Sequence, residues 1–205
     1  MRIFSKLLLT GAVLGTIALA AQAQVPGVNS TLNTVFTLAY DNSTMKPTYS
    51  STAIVVPAAS ATDVCTLFGS ATKNVRVRRV IVGGVASVVQ TEEIGIVKRS
   101  TIDTGGTQTI GTSIPYDSGS AAATAVTEWF TANPTLGTLV GALVDFNITW
   151  GNLTTGVGSG TREVLFGQLG SPVVLRGAAQ QIAVNLNGNT LVSGKVTCTF
   201  EWTEE

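Results

Sequence analysis

Asp103-Thr104-Gly105 is the stretch of this chain whose residue types come nearest to catalytic chemistry. In an aspartic protease such a tripeptide supplies one of two carboxylates that share a proton across a symmetric cleft. A single copy would need a homodimer, and Gly106 and Thr107 follow where an ordinary hairpin turn would place them. The turn is the expectation. Glu92-Glu93 and Glu204-Glu205 are adjacent carboxylates, but neighbours on a strand face opposite sides and cannot flank one bond, so both pairs read as solvated charge. The chain has no histidine, which removes the commonest general base and zinc ligand. No catalytic residue, cofactor or metal site is expected.

Lys73, Arg76, Arg78 and Arg79 gather basic charge in a short stretch, with Lys98 and Arg99 on a later strand. They form either a patch for an acidic surface or phosphate, or a cross-strand ladder paired with Glu92, Glu93 or Asp103; the ladder is the plainer reading. Cys65 and Cys198 are either one disulfide or two small buried apolar residues, and the sequence leaves both open. Trp129, Phe130, Trp150 and Trp202 could stack on sugars, although Trp202 shares the apolar face of its strand. Gly156-Val157-Gly158-Ser159-Gly160 fits no phosphate-binding spacing and reads as a loop.

These residues must be positioned by strands. Of 205 residues, 44% are apolar and only 12% charged, with 22 glycines, a composition that suits one β-rich domain with short turns. Eleven apolar stretches from Ala53 to Thr203, several alternating with polar residues and separated by turn signals, predict an all-β, antiparallel β-sandwich of about nine or ten strands. Val196, Cys198, Phe200 and Trp202 alternate with Thr197, Thr199, Glu201 and Thr203, so one face of the last strand is expected to be buried. Gln180 to Asn187 repeats the pattern, and the two strands are expected to form a hairpin. Gly83-Gly84 is expected to bulge or bend the strand that begins at Val75.

Residues 1–23 read as an export signal: Arg2 and Lys6, an apolar run from Leu7 to Ala20, and Ala21-Gln22-Ala23 as a cleavage site. The run is shorter than the roughly 20 residues of a membrane span, so no stable span is expected after cleavage. Residues 24–51 read as an N-terminal arm and 52–205 as the sandwich domain. After residue 23 there remain ten basic and twelve acidic residues, which predicts no nucleic-acid partner.

Three stretches carry a resemblance: Thr131-Ala132-Asn133-Pro134-Thr135-Leu136-Gly137, Phe166 through Gly188 with Pro172-Val173-Val174-Leu175-Arg176-Gly177, and Glu201-Trp202-Thr203-Glu204-Glu205. In combination and order they resemble a family of tailed-bacteriophage virion-associated proteins over roughly Lys73 to Glu205. The resemblance implies a jelly-roll-like sandwich, a homo-oligomer such as a trimer, and a non-enzymatic structural role as a capsid decoration or fibre-associated protein on the virion surface beside other virion proteins. The signal and the aromatic residues support a different expectation, a secreted bacterial module that binds a glycan or surface ligand.

Overall fold

The computed structural model describes residues 46–152, 160–167 and 171–205, together with two short strands before them. The expected signal, most of the expected arm and Gly156 to Ser159 lie outside the described residues. The chain divides into two compact units, Met1–Met45 and Lys46–Glu205. In the first, β1 (Val28–Asn29) pairs antiparallel with β2 (Thr34–Val35). The second takes in Lys46 to Ser51, read from sequence as part of the arm, because Tyr49 and Ser51 are buried there.

The second unit is all-β, with no helix among the described residues. Its strands are β3 (Thr48–Val55), β4 (Ala61–Phe68), β5 (Val75–Ala86), β6 (Gln90–Arg99), β7 (Thr107–Ile110), β8 (Ile114–Pro115), β9 (Thr127–Ala132), β10 (Leu139–Asn152), β11 (Thr161–Leu165), β12 (Val173–Leu175), β13 (Gln181–Asn189) and β14 (Lys195–Glu204). They form one curled sheet in the order β7-β9-β4-β13-β6-β10-β5-β14-β3-β8, with β11 and β12 also on β5. Every pairing is antiparallel except β10 with β5, which is parallel and limited to Gly151↔Val85 and Asn152↔Ala86. That short join separates a first half, β7 through β10, from a second, β5 through β8 with β11 and β12.

The two halves share one apolar core. β14 contributes Val196, Cys198, Phe200 and Trp202 and β5 contributes Val75, Val77, Val80 and Val82, against Ile94 and Ile96 of β6 and Ile182, Val184 and Leu186 of β13. Cys65 on β4 and Cys198 on β14 are joined in a disulfide with a Cα–Cα distance of 6.5 Å, tying the halves together. The inward face expected of the last strand is therefore present, and the cysteines occupy it as a bond. Trp150 sits at the join, where its ring packs on Gly84; a Cβ at position 84 would overlap that ring and the carbonyl of Lys195. Glycine is required there by close approach.

Two sequence expectations change. β13 and β14 do not pair: β13 lies between β4 and β6, and β14 lies between β3 and β5. Asn187 and Gly188 take left-handed backbone angles (φ 53° and 80°) inside β13 rather than at a hairpin turn, where its register against β4 slips. In β5 the irregularity falls between Arg79 and Val77, leaving Arg78 without an opposite residue on β14, and the register through Gly83 and Gly84 is regular. The bulge keeps both Val77 and Val80 inward although they lie three positions apart.

Candidate functional site

The middle of the first half of the sheet, β4 and β13, is buried on both faces. β13 shows this directly: Gln181 through Leu186 are all buried, with Ile182, Val184 and Leu186 in the main core and Gln181, Ala183 and Asn185 on the other side. On β4 the register slips at Val64, so Val64 and Cys65 both join the main core and Asp63 falls on the outer face. There Asp63 meets Arg99 of β6. Arg99 Nε and Nη2 reach Asp63 Oδ2 and Oδ1 at 2.6 and 2.9 Å, a bidentate pair, and Asn185 Nδ2 donates to the same Oδ1. Both ionic side chains are almost fully buried.

Two loops cover this face. One carries Ser100 to Gly106 and the other Asn133 to Thr138; they join through a Thr104↔Thr135 bridge and the Ser100 N to Thr138 O bond of 2.9 Å. Gly137 is the latch. Its carbonyl accepts Arg99 Nη1 at 3.0 Å and its N–H donates to Asp103 Oδ1 at 2.8 Å. The Asp103 N–H in turn donates to Gln181 Oε1 at 2.9 Å. A Cβ at position 137 would strike the carbonyls of Thr101 and Ile102, so only glycine lets the loops close to this distance.

Asp103 is thus a buried residue facing Asp63 and Arg99, not the member of an open symmetric cleft. Burial, and next the charge of Asp63, push its carboxyl up to about 6. Arg99 engages Asp63 on two atoms and reaches Asp103 Oδ1 only at 3.5 Å, so the two carboxylates sit unequally about one guanidinium. The expected turn is present, with Gly105 and Gly106 at φ 68° and 72°.

The basic stripe resolves as a ladder, but with other partners than expected. Lys73 pairs with Glu204 at 3.4 Å, Arg76 with Glu205, and Arg79 with Glu163 and Glu201 at 3.1 and 2.6 Å. Among the described residues Glu92 and Glu93 take no part, and Asp103 pairs only with Arg99, whose Nε lies 3.5 Å from its Oδ1. β14 brings the terminal carboxylates beside β5, a neighbour relation that sequence distance conceals. Arg78, exposed at the bulge, has no ion-pair partner among the described residues. Arg99 leaves the surface altogether, and Lys98 Nζ donates to the Val174 carbonyl at 2.9 Å.

Glu204 overturns the reading of the terminal pair as solvated charge. It is 1% exposed. The N–H groups of Thr124 and Ala125, the Thr124 hydroxyl and Trp202 Nε1 donate to its carboxylate at 2.8 to 3.1 Å. Burial opposes its ionised form, yet these donors outweigh burial and hold the carboxyl below its usual range. Glu205 points the other way and pairs with Arg76 and Lys46.

The aromatic platform is absent: Trp129, Phe130, Trp150 and Trp202 are all buried. Exposed apolar side chains gather instead where the covering loops run into β10. Ile102, Leu136, Leu139, Val140 and Leu143 are 37 to 62% exposed. β10 pairs with β6 along its length, but among the described residues only Gly151 and Asn152 have a strand on the other side. Register slips leave Val140 and Leu143 without partners on β6. No protein-family model, curated protein or solved structure matches this chain.

Proposed function

We propose that this is a non-enzymatic structural protein that works by self-association, displayed on the surface of a tailed-phage particle as the sequence resemblance implies. The observation that carries the reading is the apolar rim from Leu136 to Leu143 on an open strand edge. Long exposed edges with apolar side chains are normally blunted or covered, because they invite association. Here the two bulges discourage simple strand addition, and from Leu136 to Val144 the chain carries no charge. A second copy presenting the same rim meets no like charge in this stretch, so a folded copy of this chain is the occupant that fits.

The secreted glycan-binding reading is weaker, since its stacking residues lie in the core. The basic ladder, neutralised by terminal carboxylates, gives no support to a polyanion partner. The test is the solution mass of the protein by light scattering at two concentrations, beside a Val140→Asp, Leu143→Asp variant. A trimer or other oligomer that the variant reduces to monomer supports the reading. A monomer at both concentrations overturns it.

A further inference from the structure

We propose that the cavity between the Ile102–Gly105 turn and the end of β4 binds a small organic cation: an ammonium or amidinium group carried on an apolar body. The cavity measures about 500 Å³, with Phe68, Ile102 and Val126 among its apolar walls and Asp103 and Glu128 as its carboxylates. Among the described residues no lysine or arginine lines it. Pockets of this size with apolar walls and few polar groups are the usual form of small-molecule sites.

Two independent observations assign the charge of the ligand. The Asp103 side chain is wholly buried, yet its Oδ2 has no hydrogen-bond partner among the described residues. Glu128, half-buried on β9, enters no ion pair there, and burial alone raises its carboxyl above the usual range. The nearest guanidinium, Arg99, is engaged by both oxygens of Asp63 and reaches Asp103 only at Oδ1, 3.5 Å away. Asp103 and Glu128 are thus the carboxylates of the cavity, and among the described residues no cation lines it. Partly desolvated carboxylates are costly when unpaired, and a ligand cation offsets that cost.

The apolar walls select the rest of the ligand. Among the described residues no group of three or more cysteine or carboxylate side chains is placed to hold a metal ion, and hard cations want more oxygen ligands than this cavity offers. An organic cation uses both features, its head on Glu128 and its body on Phe68 and Val126. The site is independent of self-association, although Ile102 borders both the cavity and the rim.

Ligand-observed NMR with the full chain tests this, using benzamidinium as the probe and neutral benzamide as its near-isostere, near neutral pH. Benzamidinium is expected to bind in the millimolar range or tighter and benzamide roughly tenfold more weakly, about one charge-assisted hydrogen bond's difference. Glu128→Gln should weaken benzamidinium by a similar factor, and Ala178→Trp at the exposed mouth should block it while circular dichroism stays unchanged. Equal binding of benzamide, equal binding by Glu128→Gln, or no binding at millimolar probe overturns the proposal. Should Glu128→Gln fail to fold, the benzamide comparison and Ala178→Trp decide it.

Discussion

Asp103 Oδ1 accepts the backbone N–H of Gly137 at 2.8 Å, across 34 residues of chain. This bond joins the two loops that cover the outer face of the sheet, and it makes the ionisation of one buried carboxyl a property of the rim that begins at Leu136.

Asp103 should make stability depend on pH in the unusual direction. Its folded value of about 6 lies above the ordinary 3.8. A raised value means the folded state binds the proton more tightly, so this stabilisation is complete below about pH 4 and is lost as pH rises through about 6. The span is worth about 3 kcal/mol at most. Asp103→Asn, neutral at every pH, should remove that loss. Urea unfolding of both proteins at pH 5 and about pH 8 checks it; an unchanged pH dependence in the variant defeats the argument.

Glu204 should act in the opposite sense. Its lowered value means that its stabilisation is present above the ordinary carboxyl range and is lost as the solution is acidified below it. Glu204→Ala strands the N–H groups of Thr124 and Ala125 and the Trp202 indole, at a cost of about 3 kcal/mol. Thermal unfolding followed by tryptophan fluorescence measures this. A loss under about 0.5 kcal/mol, the scale of an ordinary surface change, contradicts the buried role.

The Cys65–Cys198 bond closes a loop of 133 residues. Chain-entropy reasoning assigns it about 5 kcal/mol at most, and native disulfides typically deliver 2 to about 5. Cys65→Ala, Cys198→Ala should therefore unfold at markedly lower denaturant with the same fold by circular dichroism. Intact mass of the parent protein under non-reducing conditions should show no free thiol.

Gly84→Ala should disturb the join between the halves. The added methyl meets the Trp150 ring and the Lys195 carbonyl, an overpacking that costs about 1 to 3 kcal/mol. A shifted tryptophan emission with lower stability is the expected result, and an unaltered spectrum at full stability rules out the close packing.

Sequence alone located most of the strands. Each of the eleven stretches with strand character coincides at least in part with a strand, because side-chain alternation and turn residues are local signals. The burial of Val196, Cys198, Phe200 and Trp202 followed from the same period of two. The absence of histidine was equally legible. Tertiary structure decided which strands meet. The partners of Arg76 and Arg79, the burial of Glu204, and the assembly of Asp63, Arg99 and Asp103 around Gly137 all join residues distant in the chain. Asp63 shows why they were hidden: a single-residue slip at Val64 reverses the face on which it lies, and register is fixed by the neighbouring strand, not by the strand's own sequence.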